Sequence, residues 1–165
     1  MIKVKRSQPA PESLAKEKLK ENGSYREEDV VKMLKQDFND KCYICELKGL
    51  QDPQVEHLLP KHKYPAKKFD WDNLFWVCSH CNSVKNQSQY DDGIIDCCVE
   101  DPEILLDYIY DNNQINVYAV DQQNKKAILT ANLIYETFNK KNTGMRVAKC
   151  EMRIKELQKE MNILF

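Results

Sequence analysis

Two Cys-x-x-Cys pairs, Cys42-Tyr43-Ile44-Cys45 and Cys78-Ser79-His80-Cys81, carry the plainest chemistry in this chain. Each pair can turn two thiolates toward one ion. Two pairs complete a closed tetrahedron of sulfur, the donor set of a structural zinc with no position left for substrate. A redox dithiol would not need a second copy, and buried free thiols are the other alternative. Such a zinc clips together stretches that lie far apart in sequence. Cys97 and Cys98 are adjacent and have no matching knuckle, and Cys150 stands in a helical seam, so burial is the expected role of all three.

Between the two pairs lie Glu56-His57 and Asp72-Asn73, and the second pair runs on into Cys81-Asn82 and Lys85. All three histidines of the chain, at 57, 62 and 80, fall in this zone. Hydrolysis of a phosphodiester needs a base to activate water and a cation to hold the phosphate oxygens. A neutral imidazole serves the first need near pH 7. Carboxylate and amide oxygens suit a hard ion such as magnesium or manganese. Taken singly, each residue has a plainer role: His57 as a structural hydrogen-bonder, Asn73 in a turn, Asn82 as a helix N-cap. Their joint spacing between two knuckles favours a site. His80 lies inside a knuckle and is expected only to shape it. Around His62, the cluster Lys61, Lys63, Lys67 and Lys68 holds no acid. Either it is a solvated loop or, with Lys85, it supplies phosphate contacts.

The elements that must position these residues can be read coarsely. Ser24-Tyr25-Arg26-Glu27 has the form of a capping box, and Val30, Leu34 and Phe38 follow at helical spacing, predicting a helix over about 25–39. Residues 55–59 read as a strand, 60–70 as a loop, 74–77 as a second strand, and a helix follows from about 81. The two runs flanking Asp111-Asn112-Asn113, residues 104–110 and 114–120, predict a hairpin, because Asn tolerates positive φ. Asp101-Pro102-Glu103 offers a rival start for a helix. A helix is expected over 127–139. In the last segment Val147, Cys150, Ile154, Leu157, Met161 and Leu164 alternate three and four apart. That seam packs on the chain's own core or receives a partner helix. The whole is α+β. It divides into a basic N-terminal arm (1–23), a zinc-clamped core (24–100) and a C-terminal hairpin with helices (101–165) for packing or partner docking.

A net charge of -1 excludes a chain that binds any polyanion indiscriminately. Nucleic-acid binding then needs a local patch or a basic partner. No apolar run is long enough to span a membrane, and the opening residues lack an apolar signal core. A cytoplasmic location is the expectation, and it favours metal-bound cysteines over disulfides.

The order of these motifs resembles the HNH endonuclease family: Cys-x-x-Cys, then Val-Glu-His-Leu-Leu-Pro, then Trp-Asp-Asn-Leu, then Cys-x-x-Cys-Asn-x-x-Lys. The resemblance implies a ββα-metal (His-Me finger) core, in agreement with the strand, strand, helix order above. It implies His57 as general base, Asn73 as the residue that orients the His57 loop, and Glu56 and Asn82 as ligands of a catalytic divalent ion. The family usually has Asp before the first histidine, where this chain has Glu56, and often His at the last position, where it has Asn82. Both substitutes still offer oxygen, and loss of the imidazole weakens binding of softer metals. Neighbours on a regular strand point to opposite faces, so Glu56 and His57 can share a site only where the strand twists or ends. The opening Met-Ile-Lys-Val-Lys-Arg, Lys-Cys-Tyr-Ile-Cys-Glu and Lys-Phe-Asp-Trp-Asp-Asn-Leu-Phe-Trp are further similar to the retron- and Septu-associated, PtuB-like HNH proteins. That similarity covers most of residues 1–120. It implies a bacterial anti-phage effector acting on DNA and regulated by a PtuA-type ABC ATPase, with the arm and residues 145–165 as candidate docking surfaces. An RNase with the same site, or a non-catalytic zinc module that binds nucleic acid or a partner, are the alternatives.

Overall fold

The computed structural model describes residues 1–140 and 143–163. Its centre is an antiparallel pair, β1 (Pro53–His57) and β2 (Leu74–Cys78), followed directly by α3 (Ser79–Lys85). All of β2 is buried, so Leu-Phe-Trp-Val-Cys reads as an unbroken apolar run. Its register sets Glu56 opposite Phe75 and His57 opposite Leu74.

Earlier in the chain come α1 (Glu12–Lys18) and α2 (Glu28–Asp37). Val30 and Leu34 of α2, with Phe38 just beyond it, are buried. Phe38 meets Phe75 of β2 at 5.7 Å between ring centroids, and Phe75 meets Tyr43 at 4.9 Å. The predicted capping box does not form. The Ser24 hydroxyl accepts from the Arg26 amide, which makes a local turn, and α2 starts three residues past Tyr25 with Glu27 at its N-cap. Tyr25 is thereby released from the helix.

The first residues lie against this core. Met1 and Val4 are buried, and the Val4 amide donates to the Cys97 carbonyl at 2.9 Å. Arg6, read as part of a basic tip, tucks its guanidinium between the rings of Trp71 (4.8 Å) and Phe75 (4.9 Å) and donates to the Leu74 carbonyl at 2.9 Å. Its charge belongs to the core.

The rival helix start is the one that forms over residues 102–105, and the strand expected from 104 begins at Leu106. Asp101 caps a single turn, α4 (Pro102–Leu105), through the Glu103 amide, and the chain then enters the hairpin β3 (Leu106–Asp111) and β4 (Gln114–Ala119). Asn112 and Asn113 take φ of 48° and 59°, the two positive values that a two-residue turn requires. Next, α5 (Lys125–Asn139) packs on β4 and on α3, and α6 (Gly144–Ile163) lies along α5. The seam of α6 turns inward: Cys150 and Ile154 are buried, and Val147, Leu157 and Met161 are half-buried. Leu164 lies outside the described residues. Among the described residues no helix is long and apolar enough to cross a membrane.

Candidate active site and its metal frame

The four knuckle cysteines converge. Cys42, Cys45, Cys78 and Cys81 place their sulfurs within 4.8 Å of one another, a donor set that fits a tetrahedral thiolate metal such as zinc. The first knuckle is built by backbone. The Cys42 amide donates to the Leu47 carbonyl at 3.0 Å, the Glu46 amide to the Cys42 carbonyl at 2.9 Å, and Glu46 accepts a φ of 59°. The Tyr43 amide then donates to the Trp76 carbonyl at 3.1 Å, which ties the knuckle to β2. The second knuckle is also a helix cap, since the Cys78 sulfur accepts from the Cys81 amide at 3.4 Å and α3 begins there. Strand, knuckle and helix are thus one continuous piece, and the metal frame sets the line of α3. His80, inside this knuckle, donates Nε2–H to the Thr137 carbonyl at 3.0 Å and joins α3 to α5. Of the other cysteines, Cys97 and Cys150 are buried and Cys98 is half-buried.

On the other side of β1 is a cleft of about 200 Å³. Glu56, His57, Asn82 and Lys85 line it, together with Tyr25 and Arg26 from the turn before α2. His57 closes β1. Its Nε2 lies 2.9 Å from the Lys68 carbonyl, which can only accept, so this nitrogen carries the hydrogen and Nδ1 keeps its lone pair. The ring packs edge-on to Tyr25, with centroids 4.5 Å apart. Burial lowers its pKa against the pull of the Lys68 carbonyl, and the charges of Lys61, Lys85 and Arg26 lower it further. These effects together favour the neutral imidazole.

Asn73 is buried and fully engaged. Its Oδ1 accepts from the Leu59 amide at 2.8 Å, and its Nδ2 donates to the Leu59 carbonyl at 3.0 Å and the Lys67 carbonyl at 3.2 Å. One amide thus fixes the chain just beyond His57 and the loop whose Lys68 carbonyl holds the imidazole. The turn that places Asn73 is capped by Asp70, which accepts from the Asp72 amide.

Glu56 sits differently from the expectation for a free metal ligand. Its Oε1 accepts from the Tyr43 hydroxyl, and its Oε2 lies 3.2 Å from the Lys85 ammonium. Lys85 also donates to the carbonyls of His57 and Leu58, each at 3.0 Å. Its side chain is only 4% exposed, so it is not available to touch phosphate. Burial pushes the Glu56 carboxyl up, opposed by Lys85 and Tyr43. Asn82 lies within α3, not at its N-cap, and donates to Gln54 of β1. Glu56 and Asn82 remain oxygen donors on one cleft, the chemistry a hard divalent ion takes.

Two of the four lysines of the cluster, and His62 beside them, pair with acids. Lys63 pairs with Asp92, Lys67 with Asp70 at 3.0 Å, and His62 with Asp91 at 2.9 Å. Lys68 donates to the Gly23 carbonyl at 3.1 Å. Lys61 faces the cleft and lies 5.3 Å from the centre of the Tyr25 ring, with Arg26 at 5.0 Å from the same ring. Tyr25 and Arg26, which the capping-box reading places at a helix start, line the cleft instead, and Tyr43 of the first Cys-x-x-Cys pair donates to Glu56.

Residues 42–88 match the family model described as HNH endonuclease. The chain is also 40% identical over 50 residues to Septu protein PtuB of Bacillus thuringiensis. That match covers 28% of this chain and 20% of the relative, so the chain matches about a fifth of that protein's length.

Proposed function

From an HNH endonuclease domain at residues 42–88, we propose that this chain is a divalent-metal-dependent endonuclease cutting the phosphodiester bonds of DNA. The observation that carries this reading is the placement of His57: a buried imidazole, its Nε2 anchored 2.9 Å from the Lys68 carbonyl, in a cleft shared with oxygen donors. In the reaction His57 takes a proton from water at Nδ1 as the oxygen attacks phosphorus. Asn73 holds both chain segments that orient the ring and so acts as a positioning residue. A magnesium or manganese ion held by Glu56 and Asn82 would supply positive charge to the leaving oxygen. Glu56 takes that role only by exchanging its ammonium partner Lys85. Arg26 and Lys61 flank the cleft where phosphate must lie.

The wider role proposed is that of an effector in bacterial anti-phage defence of the Septu or retron type, working in the cytoplasm under a PtuA-type ABC ATPase. Likeness to PtuB supports it, and so does charge. With Lys63, Lys67 and His62 tied to the chain's own acids, the loop beside the cleft keeps only Lys61 and Lys68 without an acid partner among the described residues, a small patch to capture DNA unaided. A partner that delivers or gates the substrate fits that deficit.

The engagement of both Glu56 oxygens by Tyr43 and Lys85 favours a second reading, a non-catalytic zinc module. One experiment separates the two. Plasmid DNA and a matched RNA are incubated with magnesium or manganese, with and without EDTA, for wild type and His57→Ala, in the presence and absence of the candidate ATPase. The enzyme reading expects cleavage that needs both the ion and His57, with zinc content and fold kept in the variant. Activity that survives both EDTA and the substitution ends the proposal. Cleavage of RNA alone replaces DNA as substrate, and no cleavage in any arm leaves the module.

A further inference from the structure

Arg153 is buried in the middle of α6, only 4% exposed. Its Nη2 donates to the Cys78 sulfur at 3.0 Å, across 75 positions of sequence, and its Nη1 to the Lys149 carbonyl of its own helix at 2.9 Å. Among the described residues no carboxylate lies within ion-pair distance of it. A buried guanidinium is costly unless an opposite charge compensates it. Four thiolates around one divalent zinc leave two negative charges on the cluster, and Arg153 is the cation that touches it.

The rest of α6 is held lightly. Among the described residues only Cys150, Arg153 and Ile154 are buried along its length. The helix also forms one wall of a cleft of about 340 Å³, lined by Cys45, Arg153, Leu157 and Glu160. Cys45 is the one knuckle cysteine that is half-buried and not buried. A chelator that reaches the cluster therefore comes past α6.

We propose that Arg153 is the charge partner of the metal-bound thiolates, and that through it zinc retention and the docking of the C-terminal helix form one equilibrium. The inference rests on the four cysteines being a zinc site. A partner lacking from that site is thereby supplied from the far end of the chain. Groups hydrogen-bonded to a metal's ligands tune its affinity, and removing them commonly costs ten- to a hundredfold. By linkage, whatever lifts α6 weakens zinc, and loss of zinc frees α6.

The test uses the zinc-loaded full chain. Zinc content is measured first, then the rate of zinc transfer to 4-(2-pyridylazo)resorcinol, then amide exchange over residues 144–160. Arg153→Met keeps the apolar stem and removes the charge. It is expected to release zinc roughly tenfold or more faster and to exchange the α6 amides faster, with Arg153→Lys in between. Wild-type zinc release and wild-type exchange in Arg153→Met overturn the inference. Should Arg153→Met fail to fold, Arg153→Gln, which keeps a donor without charge, is read on the same two scales: faster release supports the coupling and unchanged release overturns it. A wild-type protein without zinc is a separate result that removes the zinc reading itself.

Discussion

Lys85 decides what Glu56 can do. The ammonium and carboxylate are both almost fully buried, and the remaining donors of Lys85 close the end of β1 through the His57 and Leu58 carbonyls. Removing one partner of such a pair leaves an uncompensated charge in a dry place, a loss of about 3–5 kcal/mol. Lys85→Met should therefore destabilise the zinc-loaded protein by that amount in urea unfolding, and a change under 1 kcal/mol would show the pair to be slack. Asn73 gives a second case. Asn73→Ala strips three hydrogen bonds and leaves the half-buried Leu59 amide and carbonyl without that partner, at up to about 1–3 kcal/mol for each group left unsatisfied. A cleavage rate that falls far more than zinc content does is the expected signature of lost His57 positioning. At this scale the convergence of the four cysteines was legible, because residue type and spacing carry their chemistry. The Lys85–Glu56 pair was not. Spacing does not tell which way a strand residue's carboxylate turns, and here it turns away from a free ligand position toward Tyr43 and Lys85.

Elements were legible where one local signal dominates and failed where two compete. The Asn112-Asn113 turn and the β-branched runs around it could make little else than a hairpin. Ser24 had two options, capping a helix or closing a turn on Arg26, and tertiary contact chose the turn. Gly23 shows why. A Cβ there would sit 1.8 Å from the Glu17 carbonyl oxygen, with Phe69 at 3.2 Å. The chain passes so close to α1 that only glycine fits, and this passage hands Tyr25 and Arg26 to the cleft. Gly23→Ala must shift backbone. It is expected to cost roughly 1–3 kcal/mol and to lower cleavage through displaced Tyr25, with zinc retained. A variant of wild-type stability would mean the turn can relax. The same region has an acid-sensitive joint. Burial raises the Asp29 carboxyl, but hydrogen bonds from the Ser13 hydroxyl and amide and the Val30 amide outweigh it, and the net pKa is lowered. A carboxyl lower in the folded than in the unfolded state stabilises above its unfolded pKa and loses that contribution as pH falls through the folded value. Asp29→Asn should accordingly be less stable than wild type near neutrality, with the gap closing in strong acid. A gap independent of pH would rule out the charge.

At the scale of the molecule the zinc frame and the hydrolytic ion proposed above make separable predictions. The sulfur cluster joins residues 42–45 to 78–81, and α3, β2 and, through Arg153, α6 all meet there. A zinc there would contribute folding free energy, because without it the buried Arg153 guanidinium faces four thiols that carry no compensating charge. The proposed hydrolytic ion would be held by the buried Glu56 carboxylate and the half-buried Asn82 amide, with an ammonium already balancing Glu56. Its loss leaves the fold intact. Brief EDTA treatment should therefore abolish cleavage while far- and near-ultraviolet circular dichroism stay unchanged, and magnesium should restore activity. Prolonged exposure to a zinc-selective chelator with a thiol reagent should collapse the near-ultraviolet signal from Tyr43, which lies in the first knuckle, and from Trp76, to which the knuckle is bonded, and magnesium should not restore it. Loss of tertiary signal on the first treatment would merge the two sites into one. Retention of it on the second would mean that apolar packing of β2, α2 and α5 alone holds the core, and the knuckles would then be fittings on a fold that stands without them.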